Sequence, residues 1–247
     1  MSDERIHVLR DILLELHHGA SPESVQERFD ATFSGVSAIE ISLMEHELMN
    51  SDTGITFEDV MELCDVHANL FKNAVQGVEV ADTDHPGHPV QIFKQENLLR
   101  AAMMRVRRLL DNYETTEDPE MIQEIQKGLV RQLGLVGQFD RHYRRKEELM
   151  FPIMERYGHD SPPKVMWGVD DQIRELFAKV LDAAKKLPDS SILEVKELFE
   201  AFAQEFEGMI FKEESILLMI LLEAFTQDDW LSIAEEVMLM VMHYSPK

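Results

Sequence analysis

Residues 142–152 read His142-Tyr143-Arg144-Arg145-Lys146-Glu147-Glu148-Leu149-Met150-Phe151-Pro152. Placed on a helix running roughly over 119–157, they put Leu135, Phe139, His142, Leu149 and Ile153 along one face. His142 therefore looks into apolar neighbours. Glu147 has Tyr143, Met150, Phe151 and Met154 at helical neighbour spacings. An ionisable group in an apolar stripe is costly unless it is paired or holds a cation. The segment thus predicts a helical bundle whose interior contains charge.

The flanking sequence supplies the other helices. Strand signals are nearly absent. Three further long periodic segments cover about 89–114, 163–187 and 191–225. The breaks between the long segments are Thr115 to Pro119, Gly158 to Pro163, and Pro188-Asp189-Ser190. Four long helices with short connections predict an antiparallel four-helix bundle. Thr226 is placed to cap a last helix over 227–243, carrying Trp230, Ile233, Val237 and Met240.

Residues 1–78 read as four short helices. Ile6, Leu9, Leu13 and Leu16 share a face, and Gly19 ends the first helix. Pro22 opens the second. Ser37 and Glu40 have capping-box spacing, and Thr56 with Asp59 opens the fourth. Two prolines and a glycine lie within Ala81 to Pro89, the best linker candidate. The charge changes there too: residues 1–80 hold 16 acids and 4 bases, residues 81–247 hold 31 and 20. The expected domains are 1–80 and 81–247. The fold class is all-α, a small N-terminal helical domain followed by an up-down bundle and a C-terminal helix.

Composition narrows the function. A hydrophobic share of 45% is enough for a real core. The net charge of −23 repels nucleic-acid phosphate and anionic lipid, so neither is an expected partner. One cysteine excludes a disulfide framework or a multi-cysteine metal site within the chain. No apolar run reaches membrane-spanning length, and the N-terminus is acidic where a secretion signal is basic and then apolar. The expected compartment is the cytoplasm. Nucleophile–base pairs and Gly-rich phosphate loops are absent from the sequence pattern, so an enzyme is the less expected class.

Each bundle helix contributes inward ionisable residues: His88 and Glu96, His142 and Glu147, Asp170, and Glu213. Two imidazoles and four carboxylates are a ligand set suited to iron, manganese or zinc. The bland alternative is that each is solvated or paired with a basic side chain. Geometry sharpens it, because His142 and Glu147 are five apart, about 140° around an ideal helix. Lys146 has the better four-residue spacing but cannot ligate while charged. Its ammonium can instead pair with an inward carboxylate and take the place of a metal's charge. The discriminator is whether the inward carboxylates meet a metal or Lys146 and Arg174.

Other features have plainer readings. Cys64 and His67 are two potential ligands, too few for a site. His17-His18 suits a helix C-terminus. The basic run Arg141, Arg144, Arg145 and Lys146 reads as a solvated face or a dock for the acidic N-terminal part. The apolar last helix is a candidate oligomer contact.

Two resemblances emerge. Val36-Ser37-Ala38-Ile39-Glu40-Ile41 and Leu63-Cys64-Asp65-Val66-His67 resemble domain of unknown function 438. Pro86-Gly87-His88-Pro89-Val90 with Glu96-Asn97, the segment 142–152, Pro162 to Gly168, Ile173-Arg174 and Lys212 to Leu217 resemble a hemerythrin-like (HHE cation-binding) domain. Asp229-Trp230 and Ile233 follow as the pattern expects. The resemblance implies a bundle around mono- or dinuclear non-haem iron, with other divalent metals or none as alternatives. Its implied role is sensing or handling oxygen, nitric oxide or iron. Ligand-type positions carry over to His88, His142, Glu147 and Glu213.

This sequence departs from that pattern at two places. Asp170 stands where histidine is usual, and Gly208 offers no side chain five residues before Glu213. These departures favour the rival expectation, a metal-free regulatory or interaction module. With the chain ending at Lys247, output is expected through an unidentified protein partner or the N-terminal domain.

Overall fold

The computed structural model describes residues 3–37, 39–40, 43–44, 83, 85, 88–96 and 99–243. The third and fourth short N-terminal helices fall largely outside these residues, as do Cys64 and His67. No β-strand and no helix long and apolar enough to cross a membrane occur among the described residues.

Helices α1 (Asp3–His17) and α2 (Pro22–Phe33) form as their punctuation predicts. Gly19 has φ +89, a conformation that L side chains rarely adopt, and α1 stops there. The ring of His18 bonds the Leu14 carbonyl through Nδ1 at 2.6 Å, so it satisfies the helix end rather than a ligand. Ser37 and Glu40 exchange the two bonds of a capping box: Glu40 N–H to Ser37 Oγ at 3.1 Å and Ser37 N–H to Glu40 Oε2 at 3.4 Å. Leu9, Ile12, Leu13 and Leu16 pack on Val25, Phe29 and Phe33, and Val165 of the bundle belongs to the same cluster.

The bundle comprises α3 (Pro89–Glu96), α4 (Arg100–Thr115), α5 (Pro119–Val136), α6 (Phe139–Arg145), α7 (Phe151–Arg156), α8 (Ser161–Lys185), α9 (Ile192–Lys212), α10 (Leu218–Ala224) and α11 (Gln227–His243). Helices α4, α5, α8 and α9 pack as a closed ring, each against two of the others. The caps come from the breaks between segments. Asp118 accepts from Glu120 N–H, Ser191 accepts from Leu193 N–H, and Thr226 and Asp229 cap α11 reciprocally.

The single helix expected over 119–157 is broken. It turns at Gly137, where a Cβ would lie 2.9 Å from the Phe177 ring of α8, so a larger residue there would push that ring aside. That turn shifts the helical phase, and Leu135, expected on the inner face, is 41% exposed. Below the turn, Phe139, Phe177, Phe199, Phe202 and Phe206 fill the bundle; Phe202 and Phe206 stack at 5.5 Å and 15°.

Candidate functional site

Two wide turns bring charge into the bundle. Lys146–Met150 lies between α6 and α7, and Glu213–Leu217 lies between α9 and α10. In each, a backbone N–H bonds five residues back: Phe151 to the Lys146 carbonyl, Leu218 to the Glu213 carbonyl. A π turn inserts one extra residue and redirects the side chains around it; such turns concentrate at functional sites. Both begin within the same tripeptide, Lys146-Glu147-Glu148 at its lysine and Lys212-Glu213-Glu214 at its first glutamate. The first aims its lysine at the bundle centre. The second aims its first glutamate there.

Lys146, Asp170 and Glu213 are fully buried at 0% exposure, and His142 nearly so. The Lys146 ammonium donates to Asp170 Oδ1 at 2.8 Å and to Glu213 Oε1 at 2.6 Å. The other Glu213 oxygen, Oε2, lies 2.9 Å from His142 Nε2. A carboxylate only accepts, so that ring nitrogen carries the proton. The ammonium also sits 4.3 Å from the centre of the Tyr143 ring, a cation–π contact in a desolvated place. Phe93 packs on His142 at 4.3 Å and closes that side. Two buried oxygens at this centre, Asp170 Oδ2 and the Tyr143 hydroxyl, have no hydrogen-bond partner among the described residues.

A second layer lies alongside. Arg174 grips Glu147 with two bonds of 2.8 Å, and also donates to Asp140 and Asp171 at 2.8 Å. This bidentate fork fixes Glu147 beside the centre rather than in it. Burial lowers the Arg174 pKa, but the bonds to Glu147 and Asp140 outweigh it and raise the value overall.

The charges are unequal in their surroundings. Burial pulls the Lys146 ammonium down, and the adjacent Asp170 and Glu213 carboxylates more than reverse that, leaving it above lysine's ordinary value. Burial pushes Asp170 up to about 7, against the pull of Lys146. Burial also pushes at Glu213, yet Lys146 and His142 together hold it down at about 2. The difference is that Glu213 receives two donors and Asp170 one, while the Glu213 charge itself opposes ionisation of Asp170. Burial, then the Glu213 and Asp170 charges, hold the Tyr143 phenol well above its usual range.

Of the six residues expected at a metal, three share this centre: His142, Asp170 and Glu213. Glu147 is in the grip of Arg174. His88 lies against Trp230, ring centres 5.1 Å apart, and its Nδ1 accepts the Val90 N–H at 3.2 Å, at the start of α3. Glu96 is helical, but its side chain is outside the described residues. Sequence reasoning missed Tyr143 and Asp140. Tyr143 had a signal, being three residues before Lys146 and so on the same helical face. Asp140 had only its i,i+4 spacing to Arg144, which it pairs with at 3.0 Å; its bond to Arg174 comes from another helix.

The donor arrangement does not fit a metal ion. The central position is held by an ammonium, which has no lone pair. A metal on the same carboxylate oxygens, at about 2.0–2.2 Å, would stand close to a cation. Two unit charges at 4 Å already repel by about 4 kcal/mol at an effective dielectric constant of 20, and a divalent ion doubles that. His142 Nε2 points its proton at Glu213 and offers no lone pair there. Among the described residues, no group of three or more His, Cys, Asp or Glu side chains is arranged to hold a metal ion.

Comparison with protein families finds two matches. Residues 9–77 match a family of unknown function (DUF438), and residues 88–221, more than half the chain, match the hemerythrin HHE cation binding domain. No curated protein matches the chain.

Proposed function

This chain belongs to the hemerythrin HHE cation-binding family, which supports cation binding in general, and from that premise we propose that its resident cation is the Lys146 ammonium. The function we assign is that of a closed-centre regulatory or interaction module. In it, helices α3 to α11 form a hemerythrin-like body, and α1 and α2 form a helical unit resting on it. The observation that carries this reading is Lys146 bonded to both Asp170 and Glu213 at the buried centre. It neutralises inward carboxylates, the task that a metal's charge performs. Val165, packed into the N-terminal cluster, and Ile216, which touches both clusters, support contact between the two units. Ile216 lies in the second π turn, three residues from Glu213. The state of the centre and the N-terminal surface are thereby mechanically adjacent.

A second reading is iron-dependent sensing of oxygen, nitric oxide or iron. Family membership, and Asp170 Oδ2 with no partner among the described residues, favour it. Metal analysis by mass spectrometry on tag-free protein from iron-supplemented cells separates the two. The closed-centre reading expects iron, manganese and zinc all well below stoichiometry, even after reconstitution. One or two irons per chain, lost in Glu213→Ala and accompanied by an oxo-bridge charge-transfer band, would establish the sensor instead.

A further inference from the structure

We infer that the outer groove between α4 and α5 is a docking site for an acidic amphipathic helix of another protein. This gives the interaction-module reading a partner class and rests on that reading. The two helices run antiparallel, residue 105 opposite 132 and residue 109 opposite 128. Arg105 Nε donates to Gln132 Oε1 at 3.0 Å, and a Cβ on Gly128 would meet the Leu109 side chain at 3.7 Å. On the α5 side, Met121, Gly128 and Leu135 recur at intervals of seven residues. Such a repeat drifts only about 20° per heptad around a helix, so the three form one seam facing α4. Met121 is 52% exposed and Leu135 41%. Between them Gly128 has no side chain to cover the partly buried Leu109. Two apolar knobs with a hole midway suit the apolar face of a helix laid along the groove. At 1.5 Å per residue the seam is about 21 Å long, or roughly four helical turns.

Charge selects the partner. Arg105, Arg108 and Arg131 border the same groove, and all three are exposed. None has a carboxylate partner among the described residues, whereas neighbouring bases do: Arg107 holds Glu200 and Glu207, and Lys127 holds Glu124. Arg105 and Arg108 are three apart on one helix, a like-charge spacing that disfavours the free surface. The chain has 47 acids for 24 bases, yet it leaves these bases beside an apolar seam without acids. Glutamates flanking the apolar face of an incoming helix would give each guanidinium the carboxylate it lacks. A second copy presenting the same groove would set arginine against arginine, so a symmetric dimer through this face is disfavoured.

The probe is a synthetic peptide of about 20 residues, helical, with leucine at every seventh position and glutamate on both flanks. A scrambled peptide of the same composition keeps the charge and loses the seam. Binding to the full-length protein is followed by fluorescence anisotropy, and the fold by circular dichroism. The ordered peptide should bind about tenfold or more tighter than the scrambled one. Arg105→Glu/Arg108→Glu/Arg131→Glu should weaken it by about tenfold or more. Gly128→Gln should do the same by filling the hole, since its Cβ makes only ordinary contact with Leu109 and glutamine favours a helix. Gly134→Gln, where a Cβ meets nothing within 4 Å, should leave binding unchanged. No saturable binding overturns the inference. So does binding that survives Gly128→Gln, because it would be charge attraction without a groove. A dimer in sedimentation equilibrium that the triple variant abolishes would assign the face to a second copy and overturn it. Tighter binding of duplex DNA or phosphatidylglycerol vesicles than of the peptide, lost in the same variant, also overturns it. If the triple variant fails to fold, Gly128→Gln decides. Metal content of the same wild-type sample judges the closed centre separately: metal-free protein that ignores the peptide overturns the docking site alone, and stoichiometric iron overturns the closed centre alone.

Discussion

Lys146→Met is expected to destabilise the protein by about 3–5 kcal/mol at pH 7, the cost of removing one partner from a buried ion pair. Methionine fills most of the volume, so the loss is chiefly electrostatic. It leaves Asp170 and Glu213 buried without the ammonium that both accept from. Melting temperature should fall by roughly 10 °C, taking about 2–4 °C per kcal/mol for a chain of this length. The triple variant Lys146→Met/Asp170→Asn/Glu213→Gln should recover most of the loss, because the unpaired charges go with the lysine. Equal stability of wild type and Lys146→Met by thermal and urea unfolding would show that the ammonium is not at the centre.

The second large effect is in pH. Glu213 is held at about 2 in the folded protein, below its ordinary 4.5. Its contribution is therefore present above about pH 4.5 and disappears as pH falls towards 2. It amounts to something on the order of 3 kcal/mol from the linkage of 1.36 kcal/mol per unit. Asp170 works the other way. Its folded value, about 7, lies above its ordinary 3.8. A proton on Asp170 is favoured by the fold, so its contribution is full below about pH 4 and is lost as pH rises to 7. With one ammonium and one carboxylate, the protonated centre is close to balanced. Urea unfolding between pH 3 and 8 should show Glu213→Gln with a flatter acid limb. Asp170→Asn should gain on wild type steadily from pH 4 to 7. Parallel wild-type and Asp170→Asn curves across that range would contradict the assigned shift.

Much of the fold was legible because its signals are local. Asp118 and Thr226 each stand at a break in helical periodicity, and each caps the helix that follows. Gly19 and the Ser37–Glu40 pair were legible for the same reason. The break at Gly137 was not, and the ring that packs against it, Phe177, comes from another helix. The π turns were not legible either. A bond five residues back uses the same residue types as one four back, yet it rotates everything after it. Lys146 goes to Asp170 and Glu213, while Glu147 goes to Arg174. Inward ionisable residues on three of the long helices, at His142, Asp170 and Glu213, could be read from periodicity. Which of those charges meet one another could not, since His142–Glu213 and Lys146–Asp170 pair across helices distant in sequence. His88 shows the limit most clearly: it lies on an apolar face as expected, and that face is the ring of Trp230.

The claim that the Lys146 ammonium is the cation of this bundle is tested most directly by crystallography on protein purified from iron-supplemented cells. Diffraction would be recorded on both sides of the iron absorption edge. The account predicts continuous side-chain density from Lys146 to hydrogen-bonding distance of Asp170 and Glu213, with no anomalous peak between those carboxylates. An anomalous peak bonded to Asp170, Glu213 or His142, with Lys146 turned out of the centre, would contradict it.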